Sequence, residues 1–302
     1  MSRLRLALLC AAVLCAFAAN SLLARSALAG GEAGAASYTA IRLLSGAAVL
    51  WLLARGRTNA GEAGWRSALA LFLYAAPFSW AYVQLPAGTG ALLLFGAVQT
   101  TMIGAGIAHG ERPPLAVWLG LAIAGAGLVG LMLPGLRAPS LAGSVAMLAA
   151  GAAWGWYSLR GRGARDGLAA TRDAFLGTAP LAALVWIGGA LLQPELARLS
   201  SRGALLALAS GAVTSGLGYT LWNMALPCLT TTTASVLQLS VPALAAAGGV
   251  LLLGESLSAR VVIGGSAVLG GVAIAVFKPG RRAAPRVAGG WPPPQRDSDQ
   301  AG

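Results

Sequence analysis

The run LAVWLGLAIAGAGLVGLML, residues 115–133, holds no charged residue and no alternation of polar and apolar positions. A bilayer core about 30 Å thick is crossed by roughly 20 apolar residues in a helix, so this run reads as a transmembrane helix. A barrel strand would alternate lipid-facing and lumen-facing positions every second residue, and the run does not. Working outward from it, Gly104, Gly110, Glu111, Gly120 and Gly127 return 144 residues later as Gly248, Gly254, Glu255, Gly264 and Gly271. One module is therefore written twice, and both copies lie within long apolar segments.

Composition extends this reading to the whole chain. Hydrophobic residues make up 57% of the 302, charged residues 10%, and mean hydropathy is +0.73. A water-soluble surface cannot be built from that balance, so the solvent is lipid. Apolar segments fall near 4–24, 37–54, 66–84, 88–108, 115–134, 140–159, 173–192, 203–225, 230–252 and 260–277. The expected fold is thus an all-α integral membrane protein of about ten helices, arranged as two five-helix repeats over 4–134 and 140–277. Because five is odd, the second repeat enters the membrane in the opposite sense, giving inverted symmetry and a cavity between halves. The 42 glycines serve close helix packing, for example Gly120 with Ala124 and Gly211 with Ser215.

The formal charge of +12 does not point to nucleic acid, because the basic residues are scattered through short breaks and a tail. With a cytoplasmic N-terminus and ten helices, 15 basic residues fall inside against 6 outside, which favours both termini in the cytoplasm; the expected location is the plasma (inner) membrane. Residues 279–302, with Trp291-Pro292-Pro293-Pro294, read as a disordered cytoplasmic tail. The N-terminal run through Ser26-Ala27-Leu28-Ala29-Gly30 has a second reading as a cleaved secretory signal, which would leave nine helices. Cys10, Cys15 and Cys228 lack metal-ligand spacing and read as small buried hydrophobes.

The stretch Ser235-Val236-Leu237-Gln238-Leu239-Ser240-Val241-Pro242, followed by Leu253-Gly254-Glu255-Ser256-Leu257-Ser258, resembles the EamA family of the drug/metabolite transporter superfamily. Gly218-Tyr219-Thr220-Leu221-Trp222-Asn223-Met224-Ala225-Leu226 and Ala108-His109-Gly110-Glu111 are similar to that family too, although Val98 stands where the repeat offset calls for a partner of Pro242. The resemblance covers residues 5–278 and implies alternating access between the two repeats. Small multidrug members of the superfamily carry a glutamate in the first helix; here that helix offers only Asn20.

Residues that carry substrate chemistry must be polar groups at membrane depth, where each needs a partner. Asn20, Gln99, Gln238, Tyr219 and Asn223 are the expected substrate contacts in a largely neutral cavity, with Gln99 and Gln238 the leading pair. Arg42, read as one turn into the second helix, is expected either to snorkel to the outer interface or to offer a counter-charge to an anion in an outer vestibule. Glu111 and Glu255 read as helix-cap residues, with proton coupling the alternative. Trp80, Tyr82, Trp154, Trp156, Tyr157 and Trp222 read by default as interfacial anchors. No metal spacing, paired acids or nucleotide loop is present, so no enzyme, metal or cofactor is expected. The expectation is a carrier that moves small metabolites or amphiphilic compounds outward, for which a monomer suffices. The alternative is a non-transporting membrane scaffold.

Overall fold

A computed structural model describes residues 3–57, 64–108, 114–133, 139–161, 164, 166–229, 237–238 and 240–277. Among these the chain forms α1 (Arg3–Ala29), α2 (Ala35–Leu53), α3 (Gly64–Gln84), α4 (Ala87–Ala108), α5 (Leu115–Met132), α6 (Leu141–Gly161), α7 (Gly167–Leu192), α8 (Ser201–Ala225), α9 (Ser240–Leu253) and α10 (Ala259–Phe277), with short 3₁₀ turns between. No strand beyond the single bridge Ala33 with Leu199 occurs among the described residues. His109, Glu111 and the tail 279–302 lie outside them.

α1, α2, α4, α7 and α8 are long and apolar enough to cross a membrane. α3 and α6 are of similar length but less apolar, and they pack on each other and carry the buried aromatics Tyr74 and Trp154. Large apolar side chains such as Leu115, Leu191, Leu251 and Ile263 point outward, as they do when the surrounding solvent is lipid.

Helix neighbours follow a pattern. α1 packs on α8 and α9, α2 on α7 and α8, α3 on α6 and α7, α4 on α6 and α9, and α5 on α10. Most of the packing therefore joins residues 3–132 to residues 141–277. Glycine makes the closest of these approaches. A Cβ on Gly127 would stand 2.8 Å from the Gly264 carbonyl oxygen, and one on Gly271 would stand 2.5 Å from the Gly120 carbonyl oxygen. The repeated glycines thus face each other across α5 and α10, which run antiparallel.

The two ends of the bundle are tied differently. At the end holding the α1–α2 turn, the Gly34 N–H donates to the Arg198 carbonyl (2.8 Å) and the Ser200 N–H to the Glu32 carbonyl (2.7 Å). At the opposite end Asp166 caps α7 by accepting from the Leu168 and Ala169 N–H groups, and pairs with Arg57 at 3.1 Å. Burial raises the Asp166 carboxyl, but the hydrogen bonds from Ala169 and Arg57 outweigh it and leave the group below the usual carboxylate range.

Candidate substrate-binding site

α2 and α8 cross where neither has bulk. Gly211 on α8 lies against the Arg42 carbonyl and Ser45 of α2, leaving no room for a Cβ, and Gly46 of α2 lies against Gly211. From Ser210 to Leu217 α8 is a π-helix. Its wider turn sets Ser210, Thr214, Ser215 and Tyr219 at spacings of four and five along the buried side, facing α1 and α2.

Arg42 is seven residues past the start of α2, about 10 Å along the axis at 1.5 Å per residue. It neither sits one turn in nor snorkels: the residue is 1% exposed, the largest fully buried side chain described. Its Nε donates to Ser215 Oγ at 3.0 Å, and its Nη2 to Tyr74 Oη at 2.8 Å and Tyr219 Oη at 2.7 Å. The guanidinium carbon lies 5.1 Å from the Tyr74 ring centroid and 4.6 Å from that of Phe78. Four partners from α3 and α8, all uncharged, therefore hold one buried cation, and Nη1 has no hydrogen-bond partner among the described residues. Desolvating an ion costs several kcal/mol, which hydroxyls and ring faces offset only in part.

Asn20 of α1 completes the cluster. Its Nδ2 donates to Tyr74 Oη (3.3 Å), while Ser210 and Thr214 donate to its Oδ1 at 2.7 and 3.1 Å. Tyr219 Oη also donates to Tyr74 Oη at 3.1 Å. Beside these groups lies a cavity of about 10 Å³, room for roughly one water, walled by Phe17, Asn20, Tyr74, Phe78, Trp154 and Tyr219 among others. Phe17 packs edge-on against Trp154, Tyr219 and Trp222, with centroids 5.8–5.9 Å apart.

The structure thus brings Asn20, Arg42 and Tyr219 together. It sets Asn223 apart, where Nδ2 donates to Thr171 Oγ1 at 2.6 Å and joins α8 to α7. Gln99 is fully buried one turn beyond Phe95, a lining residue, and Gln238 is buried just before α9. Interfacial anchoring fails for Tyr82, Trp154, Tyr157 and Trp222, which are all buried; Trp154 stands midway along α6 with its centroid 4.6 Å from Tyr219. Trp80 and Trp156 remain exposed on the lipid side.

Glu255 lies at a different place. Gly254, at φ +66°, ends α9 in the left-handed region that glycine tolerates, and turns the chain so that the Glu255 N–H donates to the Gly249 carbonyl at 3.0 Å. The Glu255 carboxylate accepts from Arg25 Nε at 2.9 Å through one oxygen and from the Ala87 N–H at 2.8 Å through the other. It therefore caps α4, and not the helix that follows it in sequence. Arg25 also donates to the Tyr82 and Val83 carbonyls at 3.1 and 3.2 Å, so the pair spans α1, the α3–α4 turn and the α9–α10 turn.

Fold and site define a multi-spanning α-helical membrane protein with a polar cluster enclosed by its helices. The EamA-like transporter family model matches residues 141–277, which run from α6 to α10. An uncharacterized protein of Pseudomonas aeruginosa is 50% identical over 273 residues, covering 89% of this chain and 94% of its own. A solved crystal structure of a protein is similar at 21% identity with a TM-score of 0.63, over 91% of this chain and 98% of its own, and shares the fold. The chain belongs to the EamA-like transporter family, within the drug/metabolite transporter superfamily.

Proposed function

We propose that the protein carries small metabolites or amphiphilic compounds outward across the inner membrane by alternating access between two inverted repeats, 4–134 and 140–277. The observation that carries this reading is the central cluster, to which α1, α2 and α3 contribute Asn20, Arg42 and Tyr74 and α8 contributes Ser210, Thr214, Ser215 and Tyr219. A site shared between halves changes access when the halves rock. Interchanging the halves also maps each major helix pairing onto another: α1 with α8 onto α6 with α3, α1 with α9 onto α6 with α4, and α5 with α10 onto itself. That equivalence, with the antiparallel glycine pairing, supports the two-fold relation.

In this reading both termini are cytoplasmic and the α1–α2 end faces outward. Asn20, Arg42 and Tyr219 contact substrate directly, Gln99 and Gln238 extend the pathway from α4 and α9, and Asn223 serves the α7–α8 joint. The Arg25–Glu255 pair and the Glu32–Ser200 contacts close the outer end and separate when the carrier opens outward.

The test is reconstitution in liposomes with efflux followed for amino acids, nucleobases, organic acids and amphiphilic cations, with and without a pH gradient. Substrate-specific flux independent of the gradient supports a facilitator. Flux that requires the gradient assigns coupling to Glu111 or Glu255. Absence of flux for every compound favours a scaffold.

A further inference from the structure

Resting on the transporter reading, we propose that the substrate is an organic carboxylate whose anionic head binds Arg42 and whose apolar remainder lies against Phe17, Phe78 and Trp154. The buried guanidinium has no carboxylate partner among the described residues; its three hydrogen bonds go to the hydroxyls of Tyr74, Ser215 and Tyr219. Three donors around this aromatic cluster, Arg42 Nη1, Trp154 Nε1 and Trp222 Nε1, are buried without a hydrogen-bond partner among the described residues, as is the Tyr38 hydroxyl, which can donate or accept. A carboxylate brings only acceptors, an ammonium only donors, so these open donors favour the anion.

Two further observations fit that ligand. Arg42 offers a planar fork suited to two parallel bonds with a carboxylate, and two of its present partners, Ser215 and Tyr219, belong to α8. When α8 separates from α2, those partners leave and the carboxylate takes their valences. The residual cavity admits about one water, so the ligand enters only when the helices have parted. The walls are aromatic and aliphatic, from Phe17, Phe78, Leu94, Phe95 and Trp154, which places an apolar body beside the charged head.

The test uses the full-length protein in nanodiscs and titrates a series of monocarboxylates, acetate, benzoate, phenylacetate and indole-3-acetate, each beside its uncharged amide, following intrinsic tryptophan fluorescence. At least one acid is expected to bind about thirtyfold more tightly than its amide, the discrimination a desolvated charge pair supplies. Arg42→Gln should abolish that preference while retaining weak binding of the amide, and Arg42→Lys should keep part of it. The wild-type comparison of acid with amide does not depend on any variant folding. Equal binding of acids and amides, absence of binding across the acids, or an unchanged preference in folded Arg42→Gln would overturn the proposal. Liposome flux separates this from the transporter reading. Acid binding without flux leaves the anion site standing and removes transport; flux of uncharged compounds that survives Arg42→Gln leaves transport standing and removes the anion site.

Discussion

Tyr74 Oη receives donors from Asn20, Arg42 and Tyr219, so its removal takes one acceptor from three buried groups at once. Tyr74→Phe is expected to destabilise the protein by about 1–3 kcal/mol, read as a lower unfolding temperature in detergent, and to couple non-additively with Asn20→Ala. Asp166 makes a second, pH-dependent contribution. Its folded carboxyl titrates below the ordinary carboxylate range, so its stabilisation is fully present above the unfolded pKa and is lost as pH falls through the folded one. Asp166→Ala should cost about 0.5–1 kcal/mol near neutrality and progressively less as pH falls through the folded pKa, measured by thermal unfolding from pH 7 down to about pH 2. Asn20, Arg42 and Tyr219 were legible in the sequence because polar groups inside apolar runs require a partner. Arg42 was legible as a candidate but not as a central group, since depth depends on where α2 starts and on which faces its neighbours close. In the sequence Trp154 reads as an interfacial anchor and Ser215 as a packing residue, and Tyr74, Ser210 and Thr214 escape notice: an aromatic ring with a polar atom suits an interface as well as a core, and Thr214 also bonds the Ser210 carbonyl within its own helix, so its type alone signals nothing.

At the scale of the element, the π-helical stretch Ser210–Leu217 and the α5–α10 seam determine what meets what. The ten apolar segments and the 144-residue repeat were readable from hydropathy and glycine spacing, because lipid imposes the same length and packing rules on every span. The π turn was not, since its residues are ordinary helix-packing types and the extra residue is accommodated by contacts with α1 and α2. Deleting Val213, an exposed residue of that stretch, should restore an α-helical turn, rotate Tyr219 away from Arg42 and abolish substrate flux while insertion is retained. On the seam, Gly127→Leu pushes a side chain into the Gly264 carbonyl and Ala267 and should destabilise by about 1–3 kcal/mol, seen by thermal unfolding, whereas Gly130→Ala, which has open space, should be nearly silent.

Across the whole molecule, Arg25 and Glu255 join parts of the chain 230 residues apart, at the end where Glu32 also meets Ser200. Glu255→Gln should loosen that end, with faster labelling of a cysteine placed at Gln84, and exchange of the two charges in Arg25→Glu with Glu255→Arg should recover only part of the closure because the Ala87 N–H loses its acceptor. Glu255 was legible as a cap, but its target was not: capping a helix from the other half is a tertiary fact without a local sequence signal. If Gln99→Ala and Gln238→Ala together leave flux of an identified substrate unchanged in properly inserted protein, the pathway runs through Arg42 and Tyr219 alone. The seam itself has a further meaning. Gly120 meets Gly271 and Gly127 meets Gly264, so position i of one copy touches position j of the other and the reverse holds as well. Such reciprocity is what a homodimer with protomers inserted in opposite directions would show, the relation proposed above for the two halves of this polypeptide. Cutting the gene between α5 and α6 and producing both pieces together should therefore yield halves that find one another in the bilayer without a covalent link.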